Sequence, residues 1–119
     1  MKVRGIRGAT TVDFDQADDV LQATRELLQL MMQRNRLDID DLAAVIFTVT
    51  SDIQSVFPAQ AARELGWTQV ALLGAGEMNV PDGLPHCIRI LMLVNTELPP
   101  NELIPVYLRK AAQLRDDLA

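Results

Sequence analysis

The stretch Cys87 to Thr96, CIRILMLVNT, constrains this chain more than any other, because it is almost continuously apolar yet carries an arginine near its start. Such a run predicts a central β-strand. Period-two alternation sets Ile88, Ile90, Met92 and Val94 on one face and Cys87, Arg89, Leu91 and Leu93 on the other. Both faces are apolar, so both need cover. A guanidinium keeps its charge, and burying it unpaired forfeits several kcal/mol of hydration. Arg89 therefore has to meet an anion. Glu77 upstream is one candidate and a bound ligand is the other, and the two can act together.

The remaining segments supply the cover. At 119 residues the chain is long enough for one substantial core and too short for two, so residues 1–119 read as a single domain. A formal net charge of -5 argues against nucleic acid or an anionic membrane as the main partner, since both require a basic face. One cysteine excludes an internal disulfide framework and fits a reducing cytoplasm. No signal peptide or transmembrane run is visible, which makes a soluble cytoplasmic protein the expectation.

In chain order, Met1 to Val12 combines β-branched residues with glycines at 5 and 8, as suits a first strand that bends or admits another backbone. Asp15 can cap a helix whose first turn holds Asp18 and Asp19, and whose Ala17, Val20, Leu21, Thr24, Leu27, Leu28 and Met31 form one apolar stripe. Ala44 to Thr50 reads as a second buried strand. Phe57-Pro58 opens a short helix over Ala59 to Leu65, closed by Gly66. A third strand, Thr68 to Leu73, leads into Gly74-Ala75-Gly76-Glu77, where a glycine pair without a P-loop lysine reads as a turn. Beyond Thr96, Pro105 forbids a continuous helix, and a strand over Val106 to Ala112 is the expectation. The sum is an α+β fold: a mixed five-stranded sheet with one long helix and short helices. One long helix covers one sheet face, so another copy of the chain is the plainest cover for the other.

The reactive residues are few. His86 and Cys87 are single and adjacent, which places them on opposite strand faces and gives no metal site. Cys87 reads as a small core side chain and His86 as a surface residue. What remains is Arg7, Arg63, Arg89 and Glu77, with Tyr107 as a hydroxyl donor. Such a set can bind a small polyanion and stabilise separated charge, but it lacks a group that shuttles protons near neutral pH.

These residues lie in RGIRGATTV at 4–12, VFPAQAARELGW at 56–67, GEMNV at 76–80, CIRILMLVNT at 87–96 and VYLRKAAQLRDDL at 106–118. In collinear order over essentially the whole chain, they resemble the monofunctional AroH class of chorismate mutase. The resemblance implies a homotrimer with a pseudo-α/β barrel and an active site at each subunit interface. It implies chorismate as substrate, prephenate as product, and no cofactor or metal. By motif, Arg89 would contact the breaking ether oxygen and a substrate carboxylate, Arg7 and Tyr107 would orient the enolpyruvyl carboxylate, and Glu77 would accept a hydrogen bond from the ring hydroxyl. Leu73, Gly74, Ala75 and Gly76 would line the pocket. Phe57, Ala59 and Arg63 would come from the neighbouring subunit, and Leu114 and Arg115 would close over the opening.

Two positions depart from the family pattern. Gln60 stands where relatives commonly carry lysine, which implies weaker substrate capture with the chemical step largely kept. Gly74 stands at a position open to cysteine in relatives, so only a backbone contact carries over. The sequence ends at Ala119, leaving little tail to cover the site. Two other functions compete with the mutase reading: a trimeric enamine or imine deaminase of the RidA type, and a non-catalytic module that binds an aromatic-pathway acid.

Overall fold

A computed structural model describes residues 1–118. In chain order they form β1 (Lys2–Thr11), α1 (Ala17–Arg34), β2 (Leu42–Val49), α2 (Ala59–Glu64), β3 (Ala71–Gly76), β4 (Cys87–Thr96) and β5 (Val106–Tyr107). Short 3₁₀ segments occupy Ile39–Asp41 and Pro100–Glu102, and a longer one runs over Arg109–Leu118. The strands make one five-stranded sheet in the order β3-β2-β4-β1-β5, so the apolar run around Arg89 is the central strand. It pairs antiparallel with β1 and β2, while β3 joins β2 and β5 joins β1 in parallel. The result is the mixed sheet of an α+β fold.

Alternation along β4 decides how the layers stack. Ile88, Ile90, Met92 and Val94 are buried beneath the helices. There the α1 stripe of Leu27, Leu28 and Met31 joins Ile6, Phe47 and Met92 in one apolar cluster, to which α2 adds Ala59, Ala61 and Ala62. Each large side chain buried here contributes roughly 1.5–3 kcal/mol. On the opposite face Arg89 is exposed and Leu91 and Leu93 only half-buried, with partial cover where Ala111 packs on Ala9 and Cys87. One chain thus covers one face of its sheet fully and the other only at its end.

Glycine at position 8 has a packing cause. A methyl group there would overlap Met31 Sδ and lie 3.2 Å from Leu27 Cδ1, both on fully buried side chains. It is α1 side chains, rather than another backbone, that come close. Gly8→Ala should therefore lower the unfolding free energy by about 1–3 kcal/mol through overpacking, read as a drop in the urea midpoint. An unchanged midpoint would mean that Met31 moves aside freely. Gly66 closes α2 at φ 89°, the left-handed conformation glycine adopts most readily.

Three expectations are corrected. Asp15 does not cap α1, whose N-cap is Gln16 without a side-chain bond. Its carboxylate instead accepts the backbone N–H groups of Gln54 and Ser55 at 2.9 and 3.1 Å, tying down the loop that leads to α2. A hydrogen bond with the Ser55 side chain, reinforced by the Gln54 N–H, holds that carboxyl below its usual range. The Gly74–Gly76 stretch is not a turn: β3 runs over Ala71–Gly76, because its parallel register with β2 extends from Ala44↔Ala71 to Val49↔Gly76. The last strand is two residues long, not seven, because Arg109, at φ 54°, turns the chain out of the sheet into the 3₁₀ segment.

Candidate active site

The central strand places Arg89 beside two neighbours at once, opposite Ala9 on β1 and Thr48 on β2. Two residues along, Leu91 lies opposite Arg7. Period two therefore puts Arg7 and Arg89 on the same, helix-free face. Tyr107 reaches it from β5, paired with Ala9. The position of β5 depends in turn on Asn35, just beyond α1. Its amide donates to Met31 O and Ile104 O, and its side-chain oxygen accepts from Ile104 N at 2.7 Å.

These three residues line one cavity of about 260 Å³ together with Gly8, Ala9, Ile46, Thr48, Ile90 and Leu91. At its margin Glu77 follows directly on β3, and its N–H extends the ladder to Val49 O at 2.8 Å. Its Oε2 lies 3.3 Å from Arg89 Nε and accepts a 2.7 Å hydrogen bond from Thr48 Oγ1. The anion that Arg89 requires is thus met in part by Glu77. The pair is not a sealed internal one, because the Arg89 side chain is 47 % exposed. Arg7 has no ion-pair partner among the described residues. The cavity consequently keeps net positive charge and suits a small anion.

The remaining predicted residues gather elsewhere. Phe57, Ala59 and Arg63 line a separate cavity of about 340 Å³ with Pro58, Leu72 and Gly74, on the helix-bearing side of β3. Gly74, Ala75 and Gly76 also border a groove of about 560 Å³ with Phe47, Val49 and Phe57. Leu73 is on the Arg89 side, since it pairs with Ile46, and is 60 % exposed. Leu114 packs against the Ala9, Cys87 and Ala111 cluster, while the side chain of Arg115 lies outside the described residues. In one chain, then, Arg7, Arg89, Glu77 and Tyr107 come together, and Phe57 and Arg63 stand apart from them across the sheet.

The other polar groups do not add to this cluster. His86 lies outside the lining of the Arg89 cavity, and its backbone N–H is held by the Asp52 carboxylate at 3.0 and 3.1 Å. Cys87 is buried, and that burial pushes its thiol above the usual range, the opposite of an activated nucleophile. Among the described residues no group of three or more His, Cys, Asp or Glu side chains could hold a metal ion. A further cavity, about 610 Å³ between the end of α1 and Trp67, contains none of the residues singled out above. Thr48 and Asn35 are the polar residues that sequence reasoning missed. A threonine in a β-branched strand carries no signal of its own, and Asn35 is visible only as the residue after the last helical turn.

Comparison with known proteins gives one consistent family. The family model described as chorismate mutase type I matches residues 3–118. A chorismate mutase AroH of Thermus thermophilus is 53 % identical over 117 residues, covering 98 % of this chain and 96 % of its own. A chorismate mutase AroH of Bacillus subtilis (strain 168) is 42 % identical over 120 residues, covering 100 % and 94 %. A solved chorismate mutase structure from Clostridium thermocellum superposes with a TM-score of 0.91 at 44 % identity, covering 92 % of this chain and 98 % of that one.

Proposed function

This chain belongs to the chorismate mutase type I family, and from that premise we propose that the Arg7, Glu77, Arg89 and Tyr107 cavity is where it rearranges chorismate to prephenate. The chain is an isomerase of aromatic amino acid biosynthesis, which sets aside the deaminase and the non-catalytic module. The observation that carries the site assignment is the meeting of Arg7, Arg89 and Tyr107 in one small cavity with Glu77 paired to Arg89.

The reaction is an intramolecular Claisen rearrangement. As the ether carbon–oxygen bond breaks ahead of carbon–carbon bond formation, negative charge grows on the ether oxygen and positive charge on the ring. A guanidinium fixed beside that oxygen binds the transition state better than the ground state. In this reading Arg89 supplies that charge, while Arg7 and Tyr107 hold the enolpyruvyl carboxylate and keep the substrate in its compact reactive conformer. Glu77 accepts a hydrogen bond from the ring hydroxyl. No step transfers a proton to the protein.

The site is completed by a second copy of the chain. A cavity of about 260 Å³ falls below the roughly 300–1,000 Å³ of ordinary small-molecule sites, and its outer side is open. On the same face of the sheet Val3 and Leu73 are 56 % and 60 % exposed, apolar surface that a neighbour would cover. In a homotrimer, that neighbour's Phe57, Ala59 and Arg63 form the missing wall. Leu73 to Gly76 line the pocket and Leu114 borders its mouth, while the side chain of Arg115 lies outside the described residues. Among the described residues no helix is long and apolar enough to cross a membrane. The single cysteine fits the reducing cytoplasm in which we place the enzyme, and its length fits one domain.

The first test is a proton NMR time course of the purified protein with chorismate and a metal chelator. Conversion to prephenate well above the enzyme-free rate is expected, and saturable binding without conversion would overturn the reading. The rate should also stay flat between about pH 6 and 8, because no step of the rearrangement transfers a proton to or from the protein. A bell centred near neutrality would instead mean that a proton transfer contributes to the rate.

A further inference from the structure

Glu77 occupies an insecure place. It follows the last residue of β3, a strand at the sheet edge with β2 as its one neighbour, and a glutamate side chain has three torsions to fix. A carboxylate left to swing there could turn either oxygen, or neither, toward a substrate hydroxyl. Its backbone is fixed by the bond to Val49 O, but that bond says nothing about the side chain.

Thr48 removes this freedom. It lies on β2, one strand further into the sheet, in register with both Arg89 and Ala75. Its branched Cβ leaves few rotamers, so the hydroxyl direction is set by the strand itself. Oγ1 donates to Glu77 Oε2 at 2.7 Å, whereas Arg89 Nε stands 3.3 Å from the same oxygen. Both protein contacts therefore converge on Oε2. Oε1 accepts no hydrogen bond from the described residues and is available to an incoming donor. Thr48 takes the short, directed hydrogen bond, and the guanidinium is left at a longer range from which it can also face a ligand.

We propose that Thr48 is a positioning residue for the mutase reaction: its hydroxyl pins Glu77 Oε2 so that Oε1 is presented to the ring hydroxyl of chorismate. The proposal rests on the substrate-binding role assigned above to Glu77. Thr48 also lines the cavity, and the role proposed for it is exercised through the carboxylate.

The test is a double-mutant cycle on the full-length enzyme, with kcat and KM measured separately for Thr48→Val, Thr48→Ser, Glu77→Ala and Thr48→Val/Glu77→Ala, and thermal melts confirming the fold. Valine keeps the branched shape and removes the donor. It should lower kcat by about 10- to 100-fold with a smaller change in KM, the size expected when a catalytic contact is misplaced. Serine, which restores a hydroxyl, should recover kcat to within about threefold of wild type, and valine should cost less than about twofold once Glu77 is alanine. If serine is as impaired as valine, or if the valine penalty persists undiminished in the Glu77→Ala background, Thr48 acts through packing and the proposal fails. Should Thr48→Val match wild type while Glu77→Ala is crippled, the proposal alone fails. Wild-type turnover by Glu77→Ala would instead overturn the role of Glu77 itself.

Discussion

Arg89→Lys should reduce kcat by about a thousandfold while leaving the fold intact, because losing one preorganised donor at a developing oxyanion costs roughly 3–4 kcal/mol. Lysine retains the positive charge, so the loss tests geometry rather than charge. The guanidinium can set Nε toward Glu77 Oε2, at 3.3 Å, and still present its terminal nitrogens to the ether oxygen and a substrate carboxylate. An ammonium is a single point on a flexible stem. Beside Glu77 it would settle on that carboxylate and leave the ether oxygen without a partner. The strand should tolerate the exchange, since the Arg89 side chain is half-exposed and the residues that anchor β4 lie on its other face. Chorismate consumption gives the rate, and circular dichroism with a thermal melt reports the fold. Activity within about threefold of wild type would contradict the role given to Arg89.

How much of this could be read beforehand differs from element to element. The central strand was legible because ten residues apolar on both faces have few places to lie except in mid-sheet, and the structure puts β4 third of five. The Arg89–Glu77 pair was legible for an energetic reason: an arginine in such a strand requires an anion, and Glu77 upstream was the candidate carboxylate. The placement of Arg7 and Tyr107 beside them was not a matter of pattern. Register sets it, bringing Arg7 opposite Leu91 and Tyr107 opposite Ala9, and register is a tertiary property that only the family resemblance anticipated. Local signals failed where distant partners decided. Gly74 to Gly76 looks like a turn but lies against β2, and Asp15 looks like a helix cap but meets the backbone of Gln54 and Ser55. Thr48 was invisible because nothing in AVIFTVT distinguishes a threonine that packs from one that holds a carboxylate.

Mixed oligomers of two inactive variants should recover activity that neither possesses alone. Arg63→Ala damages the α2 half of the proposed site and Arg89→Lys the sheet half, and in one chain those halves line separate cavities on opposite sides of the sheet. A single chain cannot fold one onto the other without breaking the β2–β3 pairing between them. If each site takes its sheet half from one copy and its α2 half from the next, random mixing of the variants in equal amounts leaves about one site in four with both arginines. The mixture should then approach about a quarter of wild-type activity, on the order of a hundredfold or more above either parent if each parent is lowered as oxyanion-hole losses predict. Differently tagged chains, co-expressed and purified through both tags, establish that mixing has occurred, and with the homotrimers removed that fraction should reach about a third of wild-type activity. Mixed oligomers no more active than their parents would show that each site is built within one chain, and the open sheet face would then need a different explanation.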